Sequence, residues 1–202
     1  MTTATKQSMP AALDTQNQHP KPHPKVRRES GQWVLTLTQW LPLPPAELFP
    51  FFSDAHNLEK LTPPLLRFEV LTPRPIQMAT GALLDYRLRL RGFPIRWRTR
   101  ILDWNPPYGF VDEQLKGPYV RWHHTHTFVS AAGPGGQPGT RCDDRVEYRP
   151  PGRAIAPLVN RLVVQRDVEK IFRYRAQILA DLFADGRMIQ ADGLEGLDAS
   201  IG

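Results

Sequence analysis

The chain has 202 residues, 41% of them hydrophobic, and a formal net charge of +6. This length suits one domain with tails, and no apolar run approaches the roughly 18 residues that cross a bilayer. The first residues lack the apolar region of a secretory signal, and the single cysteine excludes an intramolecular disulfide. We therefore expect a cytoplasmic protein. No nucleic-acid recognition motif accompanies the positive charge, so we expect no nucleic-acid partner.

The two ends of the chain have the composition of tails. Residues 1–30 are rich in Thr, Gln, Pro and Lys and poor in aromatic residues, which predicts a disordered N-terminal tail. The tract HPKPHPK within it is a weak candidate for metal binding, and a flexible linker is the interpretation we favour. Residues 186–202 are predicted to form a flexible C-terminal tail, which leaves 33–184 as the folded domain.

The folded domain begins with a strand and two short helices. Residues 33–41 (WVLTLTQWL) are β-branched and aromatic, which predicts a strand. Pro45 is typical of a first helical turn, so a short helix is predicted over 46–52. Ser53 or Asp54 then provides the cap of a second short helix.

The remainder of the domain is predicted to consist of strands followed by one long helix. Glycine and proline turns separate the strands, so the sheet should be antiparallel. From about 156 to 184, hydrophobic residues recur at helical spacing. A helix of this length measures about 42 Å and can cross a whole sheet. The six predicted strands are residues 67–71, 83–91, 95–104, 110–115, 119–131 and 140–149.

The order of these elements resembles the SRPBCC superfamily. The segments that carry the resemblance are LFPFFSDAHNLEKLTPP, LDYRLRLRG, FVDEQLKGPYVRWHHTHTF, TRCDDRVEYRPPG and IFRYR. This superfamily includes START lipid-transfer domains, polyketide cyclases/dehydratases and coenzyme Q-binding proteins. The resemblance covers about residues 33–184 and implies an α+β helix-grip fold: a curved antiparallel seven-stranded sheet, two short helices, and a long C-terminal helix over a cavity for a hydrophobic small molecule.

Strand alternation assigns an outer face to the sheet. Arginines on two neighbouring strands share this face, and arginine is almost never buried unpaired. We call it the arginine face, and it is a candidate for transient contact with an anionic membrane. A solvated sheet face is the interpretation we favour. Its members are Arg87, Arg89, Arg91, Arg96, Arg98 and Arg100.

The inner face is apolar with a polar group, as small-molecule sites usually are. The residues expected to enclose the apolar body of a ligand are Leu88, Leu90, Trp97, Ile101, Phe110, Trp122, Phe128, Phe172 and Leu179. The residues expected to form the polar group are Tyr86, Asp112, Gln114, His124, His126, Asp144 and Tyr148.

The stretch RWHHTHTF places three histidines within four positions. Alternation directs His124 and His126 inward and His123 outward. A turn near Gly135 would then bring His126 close to Asp144. A turn near Gly117 would set residue 112 beside residue 122, and residue 110 beside residue 124.

Two histidines one residue apart on a strand present their imidazoles on one face, as the first ligands of a metal site do. A cupin-type site needs glutamate about four residues later, where Ser130 stands. A third ligand is available only from Asp112 or Asp144 on neighbouring strands. We therefore favour a hydrogen-bonded His–Asp pair, and we expect no metal and no cofactor.

Two functions are compatible with this pocket. The first is binding or transport of a hydrophobic small molecule, such as a lipid, a quinone or a polyketide-like compound, and it is the one we favour. The alternative is a polyketide cyclase/dehydratase in which His124, His126 and Asp144 supply a general base. The oligomeric state stays open.

Overall fold

The computed structural model describes residues 22–184 and 186. Eight strands form one antiparallel sheet in the order β1-β2-β8-β7-β6-β5-β4-β3. The predicted α+β helix-grip architecture is confirmed, with one strand more than the seven expected. The strands are β1 Lys25–Glu29, β2 Gln32–Leu41, β3 Glu69–Val70, β4 Leu83–Leu90, β5 Phe93–Asn105, β6 Gly109–Lys116, β7 Arg121–Ala132 and β8 Pro138–Arg149.

The additional strand lies inside the segment predicted to be disordered. Strand β1 pairs with β2 from Lys25 opposite Thr36 to Glu29 opposite Gln32. Ser30 and Gly31 both have positive φ, as the two-residue turns of hairpins require. The prediction of disorder is therefore wrong for β1, because a short hairpin gives its backbone a partner. Residues 1–21 and 187–202 of the predicted tails lie outside the described residues.

Short helices follow β2, and a longer helical segment follows β8. Asp54 Oδ1 accepts the backbone N–H of His56 in a turn. The second short helix therefore begins later than its predicted cap. In the described residues no helix is long and apolar enough to cross a membrane. The helices are α1 Pro45–Ser53, α2 Asn57–Lys60, a 3₁₀ turn Pro64–Leu66, α3 Ala156–Val159, a π turn Asn160–Val164 and α4 Gln165–Leu182.

The π turn changes which face of the C-terminal helix is buried. Val168 and Phe172 of α4 are buried against the sheet, whereas Leu158 and Leu162 are 58% and 54% exposed. A π turn contains an extra residue, so an apolar stripe does not continue in phase across it. The predicted stripe is correct within α4 and wrong in the turns before it.

The hydrophobic core of the described residues forms three clusters, and two of them include residues of the C-terminal helix. One joins α1, β7 and the end of α4 through residues such as Phe49, Phe128 and Leu179. The other joins β2, β8 and the middle of α4 around Leu35 and Phe172. Between α4 and strands β4 to β7 the packing is incomplete, and a cavity opens there.

Candidate functional site

The cavity lies between the inner face of β4 to β7, the segment around α1 and α2, and α4, and its volume is about 170 Å³. Most of its wall is aliphatic or aromatic, as alternation in β4 and β5 predicts. The predicted site residues that the structure places on this wall are Tyr86, Leu88, Leu90, Trp97, Ile101, Phe110, Asp112, Trp122, His124, His126 and Phe172.

Aromatic residues form one end of this wall. The indole of Trp97 meets that of Trp122 edge to face, with ring centroids 5.4 Å apart. Tyr119 lies 4.8 Å from Trp122 and 5.7 Å from Trp97, measured between ring centroids. Trp97 Nε1 donates to Thr99 Oγ1 at 3.0 Å, which satisfies its N–H without a ligand. This end of the cavity is therefore suited to an apolar or aromatic group.

The pairing of β6 with β7 differs from the predicted register by two residues. Asp112 lies opposite His124, and Phe110 lies opposite His126. The side chain of Gln114 forms two hydrogen bonds with the backbone of the loop between β6 and β7. Its Nε2 donates to the carbonyl of Tyr119 at 2.7 Å, and its Oε1 accepts the N–H of that residue at 3.3 Å. Gln114 of β6 thus bonds to the loop that follows and does not line the cavity, contrary to the prediction.

The pairing of β7 with β8 matches the expected register, with His126 opposite Asp144. Asp144 Oδ1 lies 3.0 Å from His124 Nε2 and 2.9 Å from His126 Nδ1. On the other side of the two rings, Asp112 Oδ2 lies 3.7 Å from His124 Nδ1 and 3.5 Å from His126 Nε2. We call these four residues the His–Asp cluster. All four side chains are mostly buried, at 6% to 16% exposure.

Burial and mutual contact perturb the acid–base properties of the cluster. Burial, together with the neighbouring His126, lowers the pKa of His124 to about 4. Burial opposes a charge on His126 as well, but contacts with Asp112 and Asp144 raise its pKa. Burial alone would raise the pKa of Asp144, and hydrogen bonds from the two histidines lower it. His126 therefore holds a proton more readily than His124 does.

Apolar rings enclose the two histidines. The Phe110 ring stacks on His126 with centroids 4.1 Å apart, and Phe172 of α4 meets His124 edge to face at 5.5 Å. The polar atoms of the cluster are consequently accessible mainly from the cavity.

Comparison with known proteins identifies the family. The family model described as polyketide cyclase / dehydrase and lipid transport matches residues 41–172. The chain belongs to this family. Its membership confirms the predicted SRPBCC superfamily, whose helix-grip fold the sheet and α4 display. No match was found among curated proteins.

Solved structures similar to this family member support the fold. Protein Ms6760 from Mycobacterium smegmatis is 20% identical, with a TM-score of 0.57 over 81% of this chain and 99% of that one. Zhui aromatase/cyclase from Streptomyces sp. R1128 is 13% identical, with a TM-score of 0.52 over 77% and 98%. Ara h 8.0201 is 16% identical, with a TM-score of 0.52 over 73% and 97%. Because these sequences are at most 20% identical to the chain, the similarity establishes a shared fold and nothing about shared function.

Four predicted site residues of this polyketide cyclase/dehydrase family member lie away from the cavity wall, besides Gln114. Phe128 and Leu179 belong to the packed core around α1. Tyr148 is fully buried between β2, β8 and α4, with its ring 6.5 Å from that of Trp33. Asp144 lies behind the two histidines. Alternation correctly directs these side chains inward, but it does not distinguish the core from the cavity.

The sequence interpretation missed several residues of the wall, among them Thr99 and Tyr119, and the one on α4 with a buried polar atom is Arg175. It lies on α4 between Phe172 and Leu179, at positions that share a helix face with both. Its guanidinium carbon lies 5.0 Å from the centroid of Phe172. Its Nε is buried without a hydrogen-bond partner, and no carboxylate of the described residues forms an ion pair with it. An arginine inside an apolar helical stripe is the signal that would have found it.

Proposed function

We propose that this protein binds a hydrophobic small molecule in the cavity between the sheet and α4. The observation that carries the proposal is the composition of the wall. Apolar and aromatic side chains surround the space, while the His–Asp cluster and Arg175, which both contact Phe172, add polar groups. Pockets of this kind bury the body of a ligand and orient its polar end.

The volume of the cavity favours a ring-shaped ligand. A dry engineered cavity of about 150 Å³ accommodates benzene, and the cavity here has a similar volume of about 170 Å³. An aromatic ring, a quinone head or one ring of a polyketide-like compound fits such a space. A long acyl tail would have to extend past the residues of α1, α2 and the 3₁₀ turn at the edge of the cavity.

Catalysis of cyclisation or dehydration is the second candidate, and the His–Asp cluster favours it. Asp144 orients the ring of His124, which lines the cavity, as a carboxylate orients a catalytic base. In such a reaction the imidazole would remove a proton from carbon beside a ligand carbonyl. Mass spectrometry of the recovered ligand detects dehydration, which lowers its mass by one water. Cyclisation alone leaves the mass unchanged, so chromatography against the linear compound separates it from transport.

An anionic aromatic dye, 8-anilinonaphthalene-1-sulfonate, provides the binding test. Leu90 lines the cavity, whereas Leu83 of the same strand points to the opposite face and is 49% exposed. We expect Leu90→Trp to weaken dye binding at least about tenfold, since a bulkier side chain occupies the ring-sized space. The matched variant Leu83→Trp should bind as the unmodified protein does. Equal dye affinity in all three proteins would refute the cavity as the site.

Membrane contact through the arginine face is a separate proposal, and the ion pairs of this face bear on it. Arg89 and Arg96 form no ion pair with a carboxylate of the described residues. Three others are neutralised by the pairs Arg87–Glu69, Arg98–Asp85 and Arg100–Glu113. The prediction that Arg91 shares this face is wrong, because Arg91 lies in the turn after β4 and its guanidinium bonds to Asp167 of α4. These ion pairs leave less free positive charge on the face than the sequence alone indicates.

A further inference from the structure

We infer that Asp112, His124 and His126 form a binding site for a divalent transition metal ion such as Zn²⁺. The three ligand atoms are Asp112 Oδ2, His124 Nδ1 and His126 Nε2, which all lie within 4.8 Å of one another. This metal site is separate from the proposed binding of a hydrophobic ligand. It rests on that proposed function in one respect only, namely that the cavity ligand would occupy the coordination position that the protein leaves open.

The two distances from the Asp112 carboxylate to the imidazoles are those of a metal site more than of hydrogen bonds. Asp112 Oδ2 lies 3.7 Å and 3.5 Å from the two imidazole nitrogens. Charge-assisted N–H···O bonds are about 2.7–2.9 Å long. Ligand atoms that surround zinc tetrahedrally at about 2.0–2.1 Å lie about 3.4 Å apart. The distance from the Asp112 carboxylate to each imidazole nitrogen is therefore close to the distance between two ligand atoms of one zinc ion.

The position of Asp144 explains why a cation belongs between these atoms. Its Oδ1 accepts from the far nitrogen of each ring, His124 Nε2 and His126 Nδ1. When both rings are neutral, these contacts place the N–H groups toward Asp144 and the lone pairs toward Asp112. Two lone pairs facing a carboxylate repel it, and a metal ion in the gap converts all three groups into ligands. A carboxylate behind each metal-binding histidine is the usual outer partner of such sites.

The surroundings of the site indicate the class of ion. Two imidazoles and one carboxylate suit Zn²⁺, Fe²⁺, Ni²⁺ or Cu²⁺ better than Mg²⁺ or Ca²⁺, which prefer oxygen ligands. A divalent ion would balance the charges of Asp112 and Asp144, which are mostly buried. Three protein ligands leave a coordination position open, and since all three residues line the cavity this position faces it. A carbonyl, hydroxyl or enolate oxygen of the cavity ligand would fit there.

A proton on His126 could occupy the space between Asp112 and the two imidazoles in place of a metal ion. Titration with cobalt distinguishes a metal ion from a proton at this position. The full-length protein is used as His19→Ala/His23→Ala, because the histidines of the HPKPHPK tract would otherwise bind metal as well. After treatment with a chelator it is titrated with Co²⁺, whose visible absorption reports coordination by nitrogen and oxygen. We expect about one equivalent per chain, displaced by Zn²⁺.

Variants of the cluster and one histidine outside it complete the test. Asp112→Asn and His126→Gln should weaken Co²⁺ binding at least tenfold, and Asp144→Asn should weaken it about 10- to 100-fold. His123→Ala, which removes the outward-facing histidine of the same strand, should leave it unchanged. Circular dichroism verifies that each variant is folded.

Three outcomes separate this inference from the proposed function. Co²⁺ affinity that is the same in the cluster variants and in His123→Ala would overturn the metal site. The absence of a cobalt band in a protein that binds the anionic dye would overturn the metal site and leave the cavity function intact. Cobalt binding without dye binding would support the metal site and contradict the proposed function.

Discussion

Asp112 lies directly opposite His124 on the neighbouring strand, and this pairing assembles the His–Asp cluster. Because the histidines of β7 already face Asp144 of β8, the two rings are held between carboxylates from both adjacent strands. The cluster is thus a product of sheet register, with α4 closing it through Phe172.

The shared hydrogen bonds of Asp144 should contribute measurably to stability. Asp144→Asn keeps the side-chain shape but removes the negative charge that both histidines face. In the metal-free protein we expect a loss of about 1.5–3 kcal/mol in the free energy of unfolding, measured by urea denaturation. Asp143→Asn is the matched control, since Asp143 bonds to Thr38 and Arg141 on the outer face and exposed pairs contribute at most about 1 kcal/mol. Equal losses in the two variants would contradict the role assigned to Asp144.

Arg175 should select for an acidic group on the ligand. A charge-assisted hydrogen bond to a partly buried guanidinium contributes about 1.5–3 kcal/mol, so Arg175→Gln should weaken 8-anilinonaphthalene-1-sulfonate binding at least about tenfold. The neutral dye N-phenyl-1-naphthylamine should bind both proteins alike. Arg173→Gln is the control, because Arg173 is exposed and pairs with Glu169 at 3.8 Å. If both dyes lose affinity equally, Arg175 acts through packing.

Cys142 should be unreactive in the folded protein. Burial, with Asp144 and Asp143 nearby, raises the pKa of its thiol, so thiolate formation needs a local opening of the structure. We expect Ellman's reagent to label the native protein at least about 100-fold more slowly than the protein in urea. Equal labelling rates in the two conditions would show that β8 is accessible in the native state.

Arg89 and Arg96 have no ion-pair partner among the described residues, so they should dominate any contact with anionic membranes. Each basic residue near such a surface contributes about 1 kcal/mol, so Arg89→Ser/Arg96→Ser should reduce binding to phosphatidylserine vesicles roughly 30-fold in a flotation assay. Arg161→Ser/Arg166→Ser removes the same charge from exposed positions of the C-terminal helix and serves as the control. Equal effects of the two double variants would rule out the arginine face as a specific docking surface.

Strand alternation was sufficient to predict the inward direction of His124 and His126, because side chains on a strand alternate whatever the neighbouring strand does. Register was harder to predict. The turn after β6 depends on the side chain of Gln114, and an error of two residues moved Asp112 away from the histidines. The sequence alone therefore named Asp112 as an available third ligand but did not place it directly opposite His124.

Other parts of the molecule depend on contacts that a linear pattern does not contain. Strand β1 has the composition of a tail and is ordered by pairing with β2. Tyr148 and Phe128 face inward as predicted, yet the helices decide that they are packed in the core and do not line the cavity. Arg175 is polar in sequence and becomes a cavity residue because α4 turns that face to the sheet.

Native mass spectrometry of the protein purified from its own host tests the central claim, that the cavity holds a hydrophobic small molecule. We predict a co-purifying organic mass on the unmodified protein and on Leu83→Trp, and its loss from Leu90→Trp. The bare polypeptide mass for all three proteins, or the same added mass on Leu90→Trp, would contradict the account.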